Sequence, residues 1–306
     1  MKTAILIDAN HLLSRTFHIP SFQTLSAVVD DKTVLTGATY GFLMSLKIMA
    51  TTYKKNADDI LMVIWDGGGK NFRHELDANY KATRTPKTPE FIFQIQLTQE
   101  ALRYLGVAQC QIHGTEADDI IGVMAKRARA KDFDVLIISG DKDFNQLVTN
   151  HVHILNPKGH NEYEMMTPVS VEEKYGIKPE LFTDWLALTG DSTDNIGGIE
   201  GVGKKTATQL IQCNGPIENI LKATVHYKFA KNGSKKEISE DLQQKINAAK
   251  EKLALARKLV QIKTEFDFDI DVDYNTMDIH QLKALFKKYQ FNSYLREINE
   301  FITAFS

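Results

Sequence analysis

The chain is poor in the features that staple, span or ligate. Two cysteines occur among 306 residues, Cys110 and Cys213, far apart and without metal-ligand spacing. That excludes a disulfide framework, and buried thiols in a cytoplasmic protein are expected. No apolar run approaches the roughly 18 residues that span a bilayer, so no membrane contact is expected. The opening MKTAILIDANHLL has a lysine and a short apolar run, but Asp8 interrupts it, which argues against a signal peptide. None of the nine histidines falls in an H-E-x-x-H arrangement, which removes that zinc-hydrolase signature. Solenoid repeats and long low-complexity linkers are absent. Nor is there strong charge of one sign: 37 basic against 39 acidic side chains leave a net −2.

Short runs rich in Ile, Leu and Val stand out instead. AILID (4–8), ILMVIWD (60–66), VLIIS (135–139) and VHIL (152–155) have the length and composition of buried strands, with QCQIH (109–113) a weaker member. Helical patterns over 36–53, 90–105 and 116–131 lie between them. This alternation predicts an α/β domain with a mostly parallel sheet and helices on both faces. After about residue 165 the strand-like runs vanish and helical segments dominate, among them a long one over about 238–262 preceded by the polar, lysine-rich loop KFAKNGSKKE (228–237). The expected division is residues 1–167 for the α/β domain and 168–306 for a helical lobe.

Asp8 closes the first run and Asp66 the second; Asp141 and Asp143, in SGDKDF, follow the third. Ligands of open parallel sheets bind beyond the carboxyl ends of the strands, so these acids project toward one edge. Glu116, Asp118 and Asp119, in GTEADDIIG, begin a helix at that edge, and Asp191 and Asp194, in LTGDSTDNIGG, sit on a turn in the second lobe. Singly, each acid has an ordinary explanation as a helix cap, and the pairs Asp30–Asp31 and Asp58–Asp59 read as solvated loop charges. Convergence is not explained that way. Gathered carboxylates must take up protons or recruit cations, and a ligand set without His or Cys disfavours zinc and redox iron and suits Mg²⁺ or Mn²⁺. Nine acids exceed the need of one ion. Two Mg²⁺ ions, for which Mn²⁺ substitutes, are the apparatus of phosphodiester hydrolysis. Setting the nine aside leaves 37 basic against 30 acidic side chains, so a low net charge conceals a basic surface around an acidic pit.

Two further stretches point to nucleic acid. GGIEGVGKKTATQLI (197–211) sets Gly201-Val202-Gly203 ahead of a helix, the pattern of a helix–hairpin–helix turn. Its glycines let backbone amides approach phosphates while Lys204 and Lys205 add charge; a simple tight turn is the plain alternative. GGGKNFRHELDANYKATRTPKTP (67–89) places Lys70, Arg73, Lys81, Arg84 and Lys87 just after Asp66, with Phe72 and Tyr80 among them. A charged surface helix is the ordinary reading. Glycines at its start and Pro86 and Pro89 at its end suggest instead a mobile cationic arch, about 68–105. Such an arch grips a single strand by its phosphates, with Tyr80 free to stack on a base and Lys81 or Arg84 placed to stabilise charge on the scissile phosphate.

Together these segments resemble the 5′-nuclease (flap endonuclease) family, which includes the nuclease domain of bacterial DNA polymerase I and free-standing 5′→3′ exonucleases of bacteria and phages. ILIDANHLLSR, WDGGGKNFR, YKATR, GTEADDIIG, ISGDKDFNQLV, KYGIKPELFTDWLALTGDSTDN and GIEGVGKKTA occur in the family's order and spacing. The resemblance implies a PIN-like sheet under a helical arch. It implies one metal site from Asp8, Asp66, Glu116, Asp118 and Asp119, a second completed by Asp191 and Asp194, and Asp141 and Asp143 between them. Asp141, Lys81 and Arg84 are the implied catalytic residues. DNA contacts are implied for Arg73, Tyr80, Lys81, Arg84, Gly201, Gly203, Lys204 and Lys205, and a K⁺ site on the backbone of Gly201, Val202 and Gly203. The implied partners are branched or 5′-ended DNA, RNA–DNA hybrids and replication proteins, met by a monomer in the cytoplasm of a bacterium or a phage-infected cell. Flap or RNA-primer removal in replication or repair is the implied role. Departures from the family pattern are Ala9, where a Gly commonly follows the first Asp, Gly197, where a Pro is usual, and a longer lysine-rich loop. A related ribonuclease would share the sheet but need neither hairpin nor arch. A catalytically silent junction binder would keep the basic elements and have no use for the full acidic set.

Overall fold

The computed structural model describes residues 2–159, 162–230 and 233–305. Strand β1 (Thr3–Asp8) leads into α1 (Ala9–Phe17) and a short α2 (Pro20–Gln23); a hairpin of β2 (Ser26–Val29) and β3 (Lys32–Leu35) precedes α3 (Gly37–Tyr53). Next come β4 (Ile60–Trp65), α4 (Phe72–Leu76), α5 (Pro89–Tyr104), β5 (Ala108–Gln111), α6 (Ala117–Arg129) and β6 (Asp134–Ile138). A 3-10 helix (Lys142–Leu147), β7 (Val152–Gly159) and β8 (Glu162–Met166) complete the first half. The main sheet has the order β5–β4–β1–β6–β7–β8, all parallel except β8, which closes one edge antiparallel. The central strand explains the unbroken apolar runs. Ile5 and Ile7 enter the core on one face of the sheet, while Ala4 and Leu6 enter the core on the other, and a strand covered on both faces has no polar side.

The second half is mainly helical. It holds α7 (Pro168–Tyr175), α8 (Phe182–Thr189), the short pair β9 (Gly190–Asp191) and β10 (Ile196–Gly197), α9 (Lys204–Asn214) and α10 (Ile217–Lys222). A hairpin of β11 (Tyr227–Phe229) and β12 (Lys235–Glu237) follows, then α11 (Glu240–Ala248), α12 (Lys250–Val260), α13 (Ile279–Lys288), α14 (Asn292–Arg296) and α15 (Ile298–Thr303). Among the described residues no helix is long and apolar enough to cross a membrane.

Several details depart from the sequence-based expectations. The lysine-rich loop is pinned at both ends by the β11–β12 pairing, with Lys228 opposite Lys236; Lys231 and Asn232 lie outside the described residues. The long helix expected over 238–262 breaks at Ala249 (φ −90°, ψ 8°), so that Ile246 of α11 and Leu253 and Ala256 of α12 all reach the same core. Asp30 and Asp31, with φ of 50° and 61°, form the two-residue turn between β2 and β3, where both central residues need positive φ. Asp59 is buried rather than solvated: it accepts the N–H groups of Thr3, Lys55 and Asn56 at 2.7, 2.8 and 2.8 Å.

The cores determine how the halves join. One face of the sheet shares a continuous core with α6, α8, α9 and α12, so the helical half is packed directly onto the α/β half. On the other face, Leu282, Phe286, Tyr294 and Phe301 pack with α1, α3 and α5. Residues 279–303, expected in the helical lobe, therefore complete the first one.

Candidate active site

The carboxyl ends of the central strands make the floor of a pit. Asp8, the last residue of β1, is 5% exposed; its Oδ1 accepts the His11 N–H at 3.0 Å, capping α1, and its Oδ2 accepts the Ser139 hydroxyl at 2.8 Å. Asp66, just beyond β4, accepts the Ala117 N–H at the start of α6, at 3.0 Å, and its own N–H donates to Asn10 Oδ1 at 3.0 Å. Asp141 caps the 3-10 helix by accepting the Asp143 N–H at 2.9 Å. With Asp118 from the first turn of α6, these acids line a cavity of about 560 Å³ that Lys81, Arg84 and Lys87 bound as well. Capping is thus real, yet it also brings four carboxyl groups around one space.

The crowding shows in their acidity. Burial, then the charge of Asp66, pushes the Asp8 carboxyl up from 3.8 to about 7. Burial, then Asp141 and Asp8, holds Asp118 well above the usual carboxylate range. Burial, then Asp141, pushes Asp143 up to about 7. Desolvation and like charge both disfavour the ionised form, and here they act together.

The other acids are matched to internal cations. Lys81 Nζ donates to Glu116 Oε1 at 2.7 Å and stands 3.7 Å from Asp194, while Arg84 pairs with Asp194 at 2.5 Å. Lys142 Nζ lies 2.5 Å from Asp191 Oδ2 and 3.3 Å from Asp143 Oδ1. Burial opposes ionisation of Glu116, but Lys81 and Arg73 more than offset it and its pKa falls; Lys142 does the same for Asp191. Lys81 has a φ of 55°, a left-handed conformation costing a non-glycine residue on the order of 1 kcal/mol or more. Its N–H donates to the Asp194 carbonyl at 2.9 Å, which helps hold that geometry.

Three residues expected at the metal site or the DNA surface sit elsewhere. Arg73 is 3% exposed. Its guanidinium bonds Asp119 twice, at 2.6 and 2.9 Å, and donates to the carbonyls of Leu259 and Gln261 at 2.7 and 2.9 Å. Asp119 accepts the Lys263 N–H as well, at 2.9 Å. This buried fork joins α4, α6 and the end of α12, so the Arg73 guanidinium is enclosed by protein and Asp119 does not line the cavity. Tyr80 is buried, with its hydroxyl donating to Glu116 and Asp194 at 3.1 Å each; it offers no free ring face to a base. The expected arch also shortens. Leu97, Ala101 and Leu102 of α5 are core residues, and of the expected arch Lys81, Arg84, Thr85, Pro86, Lys87, Thr88 and Phe91 line the cavity.

In the second half, the turn expected at 201–203 is formed. Gly201 has a φ of 81° and Val202 is buried, its N–H donating to Ile199 O at 3.0 Å. Gly203 precedes α9, which has no side-chain cap, and a Cβ built on Gly203 would meet nothing within 4 Å. Lys204 and Lys205 are exposed beside it. Trp185 anchors α9 from below through Nε1 to Thr208 Oγ1 at 3.0 Å.

The donor set fits hard divalent cations. It is all oxygen, and among the described residues Asp143 Oδ1 is buried with no well-formed hydrogen bond; the Lys142 ammonium stands 3.3 Å from it. Among the described residues no three acidic, His or Cys side chains converge into a ready-made cage. Magnesium asks for less, since it takes one or two carboxylates and completes its shell with water and phosphate. Motif reading missed Ser139 and Lys142, although both lie within ISGDKDF beside the acids they touch. It also missed Asn71, whose Nδ2 donates to Glu116 at 2.8 Å and which carried no signal.

Two family models match successive parts of the chain. The 5′–3′ exonuclease N-terminal resolvase-like domain matches residues 3–176, and the 5′–3′ exonuclease C-terminal SAM fold matches 177–284. A 5′–3′ exonuclease of Aquifex aeolicus is 34% identical over 304 residues, 98% of this chain and 96% of that one. Thermostable DNA polymerase I of Thermus thermophilus is 34% identical over 296 residues, 96% of this chain but 32% of the polymerase. The chain thus spans about a third of the length of the polymerase relatives it matches. Two solved structures share the fold. The bacteriophage T5 flap endonuclease, in complex with DNA and metal ions, aligns with a TM-score of 0.67 at 20% identity, covering 99% of this chain and all of that one. Flap endonuclease-1 from Methanococcus jannaschii aligns with a TM-score of 0.63 at 13% identity, covering 99% and 92%.

Proposed function

Because the chain belongs to the 5′–3′ exonuclease family, and is therefore a phosphodiester-hydrolysing nuclease, we propose that it cleaves at 5′ ends and 5′ flaps of branched DNA with two divalent cations, Mg²⁺ or Mn²⁺. The observation that carries this is the mutual repulsion of Asp8, Asp66, Asp118 and Asp141 around one cavity. Crowded carboxyls of which Asp8 and Asp118 are pushed up by burial and by their neighbours' charge are costly unless a cation neutralises them.

In this reading Asp8, Asp66, Asp118 and Asp141 hold one ion with Glu116 beside it, and Asp143, Asp191 and Asp194 hold the other. Asp119 acts through Arg73 to fix the base of the arch. Bound ions supply an activated water at neutral pH and neutralise charge that builds on the phosphate. Lys81 and Arg84, now paired with Glu116 and Asp194, turn to the scissile phosphate when DNA enters, where an aligned cation lowers the barrier. The 201–203 turn, the first amides of α9, and Lys204 and Lys205 grip duplex phosphates without reading sequence, and the carbonyls of that turn hold K⁺. An RNA–DNA hybrid fits the same backbone grip, consistent with primer removal by a monomer in the cytoplasm alongside replication proteins.

The test is incubation with a labelled 5′-flap duplex in Mg²⁺, in Ca²⁺ and in EDTA. The expected result is a short labelled product in Mg²⁺ alone, with retained binding in Ca²⁺. Binding without a Mg²⁺-dependent product would mean a silent junction binder.

A further inference from the structure

Lys142 lies between two acids in SGDKDF, and the fold turns it toward a third. The 3-10 helix carries Asp143 and the end of β9 carries Asp191; the Lys142 ammonium sits between them, 3.3 Å from Asp143 Oδ1 and 2.5 Å from Asp191 Oδ2. One unit charge thus spans two carboxylates from separate elements, at the place where the second cation is assigned. The match is incomplete, because Asp143 Oδ1 remains buried without a well-formed hydrogen bond. Lys142 is also free to leave. Its side chain is 36% exposed, and a four-carbon stem with a strongly hydrated head exchanges readily between a carboxylate and water.

From this placement we infer that Lys142 is an internal counter-ion for the second metal site, occupying the Asp143–Asp191 pair in the ion-free protein and released as the second divalent cation binds. The inference rests on the proposed assignment of these acids to metal. A divalent ion brings twice the charge of the ammonium and can coordinate the Asp143 oxygen that the ammonium leaves without a well-formed hydrogen bond, so it wins at sufficient concentration. The ammonium sets how much is sufficient. Lys142 bridges Asp143 and Asp191, whereas Arg84 meets Asp194, the third acid of that site, and Lys81 meets Glu116.

The experiment counts Mn²⁺ bound to the DNA-free protein at pH 8, by electron paramagnetic resonance of free Mn²⁺ and by calorimetry. Wild type, Lys142→Met, which keeps the stem without the charge, and Lys142→Arg are compared. Wild type is expected to bind one ion more tightly than the second. Lys142→Met tightens the second step by about tenfold or more, and Lys142→Arg leaves it near wild type. Superimposable isotherms for wild type and Lys142→Met would overturn the inference while leaving the metal assignment intact. If neither protein binds Mn²⁺, the metal assignment itself fails, and the inference with it. A second measurement needs no variant. Amine acylation of the wild-type protein, mapped by mass spectrometry, should increase at Lys142 on Mn²⁺ addition with Lys204 unchanged; labelling at Lys142 that stays constant or falls contradicts release.

Discussion

Asp118 and Asp119 are adjacent on the first turn of α6, yet they belong to opposite sides of the pit. Asp118 faces the cavity with Asp8 and Asp141, and its acidity is suppressed by burial and by them. Asp119 faces away, locked by two hydrogen bonds to a buried arginine. The difference is the partner, not the residue. On the open side the fold gathers like charges and leaves them crowded; on the closed side it matches Asp119 with Arg73. The first arrangement is costly and suits a reaction; the second holds the surrounding elements in place.

The comparison breaks most visibly if the two aspartates are changed separately. Asp118→Asn or Asp141→Asn should lower single-turnover flap cleavage by about 10³-fold or more, since a divalent ion contributes several kcal/mol to such a barrier. The folded protein should be no less stable without metal, because a repelling charge is removed. Asp119→Asn should behave oppositely. Stranding a buried arginine costs about 3–5 kcal/mol, read as a fall in the denaturation midpoint, and Arg73→Ala should match it. Equal effects of Asp118→Asn and Asp119→Asn on stability would erase the distinction.

Lys81→Ala should sit between the extremes, slowing cleavage by about 10²-fold while weakening DNA binding less. If binding suffers more than cleavage, Lys81 is a simple grip. Changing both Lys204 and Lys205 to Ala should leave the pit untouched and lower the salt dependence of duplex binding by about two phosphate contacts.

The smallest effect is in pH. Asp8 and Asp143 titrate near 7 in the fold against 3.8 unfolded. Between about pH 4 and 7 the folded protein therefore holds protons that the unfolded chain has released, and its stability falls as pH rises through that window. Glu116 and Asp191, lowered from 4.5 and 3.8, contribute in the opposite sense only below those values. In EDTA the melting temperature should decline from pH 5 to 8, and Mg²⁺ should remove the decline; a flat profile in EDTA would contradict the repulsion.

The acids were legible because each stands at a chemical boundary, where an apolar strand run such as ILMVIW gives way to a carboxylate. Strand direction then does the rest, carrying Asp8, Asp66 and Asp141 to one edge. What could not be read was which acids had partners. The Arg73 fork closes on carbonyls at 259 and 261, nearly two hundred residues away, and no local pattern encodes such a contact. Tyr80 was misplaced for the same reason: beside basic residues it looks like a stacking platform, but two half-buried carboxylates, Glu116 and Asp194, draw its hydroxyl inward. The β2–β3 hairpin was hidden because Asp-Asp is an unusual pair for a turn that glycine and asparagine dominate. Residues 279–303 return to the first lobe because their aromatic faces fit the side of the sheet left open there.

Anomalous scattering from a crystal of the wild-type protein soaked in Mn²⁺ tests the central claim most directly. The account predicts an anomalous peak within coordination distance of Asp8 or its cavity neighbours Asp66, Asp118 and Asp141, and none at Asp119. Peaks absent from that cavity, or a peak seated on Asp119 with Arg73 displaced, would contradict it.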